Sequence, residues 1–392
     1  MQRIHLDHSS SKSIHPQVIK IMMPYFSQKH GNPSTIYSQG HEAKEAIEDA
    51  REGVASLIGA KSNEIIFTSG ATESNNLAIR GVSYRNRTKG DHLISSTIEH
   101  MSVINPLKYL GKKGFKTSYI PVDRYGTIDL EVVKKTIDNN TILASVIYAN
   151  GEIGTIEPIR EISEIVHSKN AYLHVDAVAA AGQIPIDVKK DNIDLLSLSS
   201  NDLYGPKGVG ALYIKEGTRI QPIIYGGGQE KGLRSGSENI PGIVGMAKAA
   251  EISSRNMNNE SRRLRALRDN LITGILDTIK ESYLNGHPTM RLPNNVNIRF
   301  KYIEGESLIL SLDMEGVSAS SGSACTSKTL EPSHVLRAIG LPHEDAHGSL
   351  LFTLGSGNEE EDINYVLSIL PRIVKKLRKI SPLTPKSLLE DT

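Results

Sequence analysis

Cys325 is the one thiol of a 392-residue chain, and it stands in a run of small residues, Ser321-Gly322-Ser323-Ala324-Cys325-Thr326-Ser327. A thiolate is both a nucleophile and a soft-metal ligand, and a small-residue loop suits a group that swings between a pocket and a partner. By itself the cysteine is also compatible with an inert small residue. Gly70-Ala71-Thr72 follows the apolar Glu64-Ile65-Ile66-Phe67 and opens a helical stretch. Backbone N–H groups at a helix start favour an anion, and Thr72 adds a hydroxyl, which suits a phosphate. Read locally, the same segment is first of all a helix cap. Asp176 closes the strand-like run Tyr172-Leu173-His174-Val175. A carboxylate there can keep a pyridine nitrogen protonated, so that the ring serves as an electron sink; alone, it is as easily another cap. His100, after Ser96-Thr97-Ile98-Glu99, can stack on a flat ring, although a lone histidine is more often a satisfied surface or core residue.

Composition narrows what these residues can do. One cysteine excludes a disulfide within the chain and any cluster held by several of its own thiolates. If Cys325 binds an iron–sulfur cluster, the remaining ligands come from another chain. The formal net charge of +1 gives no support for a polyanion-binding surface, so nucleic acid is not an expected partner. Apolar runs such as Leu308-Ile309-Leu310 are far too short to span a bilayer, and no membrane association is expected. The start of the chain lacks the apolar centre of a secretion signal, which makes a cytoplasmic location the expectation.

The elements that must position these residues alternate from about Ile65 to Ile214. Strand-like runs occur at 64–67, 92–95, 143–147, 172–175 and 195–198, separated by amphipathic helical stretches. Such alternation predicts an α/β domain, a mostly parallel sheet covered by helices on both faces. A charged, helix-periodic stretch from Glu251 to Leu276 bridges two lobes. Beyond it, strand-like runs at 295–300, 317–320 and 350–353 alternate with helical segments and predict a smaller α+β lobe. Residues 381–392 carry two prolines and read as a mobile tail.

Taken in order, these segments resemble the cysteine desulfurases of the NifS/IscS type, within the fold-type I transferases that use pyridoxal phosphate (PLP). The resemblance runs through Gly31-Asn32-Pro33-Ser34, Phe67 to Asn76, Glu99-His100, His174-Val175-Asp176-Ala177, Gly205-Pro206-Lys207-Gly208, Arg234-Ser235-Gly236-Ser237 and the Cys325 loop. It implies a large aminotransferase-like domain at 16–258 with a mainly parallel seven-stranded sheet. A small domain would combine 1–15 with 259–380. It also implies roles. Ala71, Thr72, Ser199, Ser200 and Asn201 match cofactor-binding positions; Ser237 matches one that serves the neighbouring subunit of a homodimer. Asp176 matches the partner of the pyridine nitrogen, His100 the ring-stacking proton shuttle, and Cys325 the nucleophile that becomes a persulfide.

The chain departs from the pattern at the positions that do the chemistry. Where the resemblance leads one to expect Ser-Gly-His-Lys-x-Tyr-Gly-Pro-Lys-Gly, the chain reads Ser-Ser-Asn-Asp-Leu-Tyr-Gly-Pro-Lys-Gly from Ser199. Asp202 thus replaces the imine-forming lysine, and Asn201 replaces a phosphate-binding histidine. Gly151 replaces an asparagine, Ala179 a glutamine that holds the ring's phenolic oxygen, and Ser356 an arginine that grips the substrate carboxylate. A charged hydrogen bond contributes ~1.5–3 kcal/mol, so losing two or three would cost several kcal/mol of PLP affinity. Lys207, the nearest other lysine, matches a second family lysine and is expected to point elsewhere. PLP is therefore expected to be held without a covalent bond at most. The retained Cys325 loop implies a dimeric platform that docks a scaffold protein of the IscU type. Cys325 would accept sulfur or become the fourth ligand of a shared [2Fe–2S] cluster, as expected of lysine-lacking relatives in some archaea. The alternative is a working desulfurase, L-cysteine to L-alanine plus enzyme persulfide, using non-covalently held PLP. An aminotransferase on the same fold fits less well, because it leaves the cysteine loop unexplained.

Overall fold

The computed structural model describes residues 3–322 and 332–390, so Cys325 and its immediate neighbours lie outside the described residues. Among the described residues the chain forms twelve strands. The central sheet holds β2 (Ile65–Thr68), β3 (His92–Ser96), β4 (Lys116–Ile120), β5 (Thr141–Ile147), β6 (Tyr172–Asp176), β7 (Leu195–Ser199) and β8 (Gly210–Ile214). Its seven strands run in the order β2-β8-β7-β6-β5-β3-β4. All neighbours are parallel except β8, which is antiparallel to β2 and β7. Every residue of β2, β3 and β5 is buried, as a sheet sandwiched between helices requires. The edge strand β4 is different: Lys116 and Tyr119 face solvent. Only its last residue is fully buried, so it lacks the apolar run that marks its neighbours.

The smaller lobe contains an antiparallel sheet of β9 (Ser282–Leu284), β10 (Asn295–Phe300) and β12 (Ser349–Thr353). A second pair joins β1 (Ile4–His5) in parallel to β11 (Val317–Ser318). Leu6, just after β1, packs in the same core as Val296, Phe300 and Phe352. The N-terminal segment is therefore part of this lobe's packing and then crosses to the large sheet. One 39-residue helix, Ile240–Thr278, links the two cores. At 1.5 Å per residue it is about 58 Å long. Ile243, Met246 and Met257 pack in the large core, while Leu264, Leu271 and Ile275 pack in the small one.

Two features of the sheet set up a site. The parallel strands β3, β5, β6 and β7 all end at the same edge, and β2, antiparallel to the antiparallel β8, ends there too. Loops leaving that edge of an open α/β sheet are where such folds bind ligands. No helix among the described residues is long and apolar enough to cross a membrane.

Candidate functional site

A cavity of about 610 Å³ opens where the strand ends of the large sheet face the small lobe. Ala71, Thr72, His100, Gly151, Asp176, Ala179, Ser199 and Asp202 line it. Residues separated by more than a hundred positions are thus brought together because their strands finish at one edge. Four other expected residues do not line it. Ser200 is buried and Asn201 half-buried beneath the wall, each with a side-chain oxygen lacking a partner, and Ser237 is exposed on a loop. The amide of exposed Ser356 donates 3.0 Å to the Tyr204 hydroxyl.

The phosphate-type subsite is built by backbone. Gly70 adopts φ 150°, a conformation that favours glycine, and a Cβ there would meet open space. It caps the helix Ala71–Arg85, whose first residues, Ala71 and Thr72, line the cavity. Gly210 of β8 allows this close approach: a Cβ on it would lie 2.6 Å from the Gly70 backbone. Glu73 steadies the turn by accepting from the Ser69 amide at 2.8 Å and pairing with Arg234 at 3.0 Å.

Asp176 ends β6 and is 3 % exposed. Its carboxylate accepts from Asn75 Nδ2 at 2.7 Å and from the Val178 amide at 3.1 Å. Burial pushes this carboxyl up, and His100 and the Asn75 amide pull against that. His100 caps the next helix; its Nδ1 accepts from the Ser102 amide at 3.1 Å and meets the Ser102 hydroxyl at 2.7 Å. Beneath it Glu99 is wholly buried, accepting from Ser96 Oγ at 2.5 Å and the Ile147 amide at 3.0 Å. Burial raises Glu99 well above the usual carboxyl range. Glu152, also lining the cavity, is pushed up by burial to about 8.

The three departures at 151, 179 and 202 are neighbours of this set. A Cβ added to Gly151 would touch the Ala179 Cβ at 3.4 Å, so these two positions belong to one patch of wall. Asp202 begins the turn after β7, on a short 3-10 segment, Asn201–Leu203. Burial raises its carboxyl, opposed by the charge of Lys12 and a hydrogen bond from Ser199.

Lys12 is the residue that sequence reasoning missed. It is 8 % exposed, lines the cavity, and donates 2.6 Å from Nζ to the main-chain oxygen of Asp202. Its ammonium lies 4.9 Å from the Tyr204 ring centroid. It is the only lysine or arginine lining the cavity among the described residues. The local signal was faint: one lysine in the otherwise neutral Ser9-Ser10-Ser11-Lys12-Ser13. Lys207, the lysine nearest to 202 in sequence, is exposed and donates 2.9 Å to Ser11 Oγ. No group of three or more His, Cys, Asp or Glu residues that could hold a metal occurs among the described residues.

The described residues fit PLP in its non-covalent contacts. The Gly70–Thr72 turn offers an anion cradle, and Asp176 offers a buried carboxylate to a ring nitrogen. At position 202 they do not offer an amine.

The aminotransferase class-V family model matches residues 4–366. The chain is 58 % identical over 379 residues to a protein of Archaeoglobus fulgidus named cysteine desulfurase IscS 1, covering 97 % of this chain and 99 % of that one. It is 51 % identical over 383 residues to cysteine desulfurase IscS of Methanosarcina thermophila, covering 98 % and 95 %. A solved NifS-like protein superposes with a TM-score of 0.90 at 36 % identity, covering 96 % of this chain and all of that one. Fold, strand-end cavity and these likenesses agree, and the chain belongs to the cysteine desulfurase family of IscS and NifS proteins, within the class-V aminotransferases.

Proposed function

We propose that this protein serves iron–sulfur cluster assembly in the cytoplasm as a homodimeric platform, with little or no independent desulfurase turnover. It docks a scaffold protein of the IscU type and presents Cys325 as a persulfide acceptor or as one ligand of a shared [2Fe–2S] cluster. The observation that carries this reading is Asp202: at the exit of β7 the cavity meets a carboxyl group, which cannot condense with an aldehyde. Gly151 and Ala179, which face each other on the cavity wall, offer no polar side chain of their own to cofactor or substrate.

PLP, when bound, supplies an electron sink for cleavage at an amino-acid carbon. Ala71, Thr72 and Ser199 would hold its phosphate, and Asp176, fixed by Asn75, would hold its ring nitrogen protonated. His100 stands at the mouth, where it can stack on the ring or carry a proton. Ser237 would serve the partner subunit's pocket. A second reading, an active desulfurase whose PLP is not tethered at 202, is favoured by the retained Gly70–Thr72 turn and the retained Asp176–Asn75 pair.

The test is anaerobic co-purification with an IscU-type scaffold, followed by iron and sulfide analysis of the wild type against Cys325→Ala. Cluster content should fall by at least half in the variant. Steady production of alanine from L-cysteine without a scaffold, abolished by Cys325→Ser, would establish the second reading instead.

A further inference from the structure

We propose that Lys12 is the amine that takes up pyridoxal phosphate in this chain, supplying from the N-terminal segment what Asp202 lacks at the exit of β7. The residue matching the family's imine lysine and the buried lysine of the cavity are in direct contact. Lys12 Nζ lies 2.6 Å from the main-chain oxygen of Asp202, so the amine sits against the backbone of the position from which it is missing. The segment that carries it is laced onto the same turn. The His15 amide donates 2.9 Å to the Tyr204 carbonyl, and Lys207 Nζ donates 2.9 Å to Ser11 Oγ.

The surroundings suit a condensing amine. Lys12 shares its cavity with the Gly70–Thr72 anion cradle, with Ser199 and with Asp176. Its four-carbon stem gives the amine several ångströms of travel. Burial disfavours the ammonium and lowers its pKa, opposed by the charge of Asp202. A lysine whose amine is desolvated is a competent nucleophile toward a carbonyl. In the step itself, the ammonium first gives one proton to solvent. The free amine then attacks the aldehyde carbon, the carbonyl oxygen leaves as water with the two remaining nitrogen-bound hydrogens, and a carbon–nitrogen double bond forms. Nothing is oxidised or reduced.

This says where the cofactor attaches and is independent of whether turnover follows. An anchor at Lys12 does not restore a lysine at 202, so tethering and platform function are compatible.

The experiment incubates the full-length protein with pyridoxal phosphate, reduces it with borohydride, digests it and locates the added mass by mass spectrometry. The expected result is close to one phosphopyridoxyl group per chain, on the peptide carrying Lys12. Lys12→Gln and Lys12→Arg, checked for folding by thermal melting, should lose it more than tenfold. Asp202→Lys serves as the control for a pocket that accepts the cofactor. A wild type without adduct overturns the proposal, whether or not the control is labelled. So does labelling confined to Lys207 or other exposed lysines. If the wild type carries no adduct while Lys12→Arg keeps its fluorescence-titrated affinity for PLP, Lys12 is an anion-binding cation and the proposal fails. Cluster assembly on a scaffold is read separately, so failure here leaves the platform reading to its own test.

Discussion

Asn75 and Asp176 are 101 residues apart, yet the amide of one donates to the carboxylate of the other at 2.7 Å inside the closed wall of the cavity. Asn75 Nδ2 also reaches Ser102 Oγ at 2.8 Å, tying the helix after β2 to the helix that His100 caps.

Breaking that link should be costly. Asn75→Ala leaves a buried carboxyl with one hydrogen bond fewer, at about 1.5–3 kcal/mol. The expected outcome is a lower urea midpoint and at least a tenfold weaker uptake of PLP by fluorescence titration. Unchanged uptake would separate Asp176 from cofactor binding.

Asp202→Lys should restore a tether at the exit of β7. The purified variant should be yellow, and borohydride should trap the cofactor at 202. Desulfurase turnover should remain low, because Gly151, Ala179 and Ser356 still differ from the asparagine, glutamine and arginine that the resemblance implies. Adding Gly151→Asn and Ala179→Gln should raise turnover further. The measurement is alanine formed from L-cysteine across the three variants.

The buried pair Arg51–Glu230 fastens the loop that leads to Ser237. Arg51 donates from both terminal nitrogens, at 2.8 and 2.9 Å, and Glu230 also accepts from the Phe67 amide of β2 at 2.8 Å. Removing one partner of such a pair strands a buried charge, so Arg51→Ala should cost about 3–5 kcal/mol in chemical denaturation. If the Ser237 loop serves a neighbouring subunit, the same variant should dissociate at higher protein concentration in analytical ultracentrifugation.

Glu157 gives a pH signature. Its carboxyl, raised by burial to about 8, accepts from the Ile128 amide at 2.9 Å. The folded chain keeps this proton where the unfolded chain has lost it. Stability from Glu157 is therefore fully present below its unfolded pKa, about 4.3, and declines as pH rises toward 8. The slope is at most ~1.4 kcal/mol per pH unit. Glu157→Gln should flatten the melting temperature over that window, and an unchanged profile would refute the assignment.

Much of the molecule was legible in its residues. Five strands of the central sheet announced themselves as short, largely apolar runs, which a strand covered on both faces favours, whereas the buried β8 did not. The edge strand β4 did not, since Lys116 and Tyr119 face water and break the pattern. The carboxyl group at 202 was also plain, because it is a matter of residue type within a fixed string of neighbours. Which of the expected residues share the cavity was not plain. Ser199 lines it while the adjacent Ser200 and Asn201 do not, for the chain turns sharply where β7 ends.

The amino-acid sequence alone determined the family, the single thiol and the carboxyl group at 202. Only the tertiary structure decided that Lys12 meets Asp202 across 190 residues of chain and that Gly151 faces Ala179. Residue types are read one position at a time. Such encounters are set by where the strands end and how the N-terminal segment packs across them, and no local pattern encodes that.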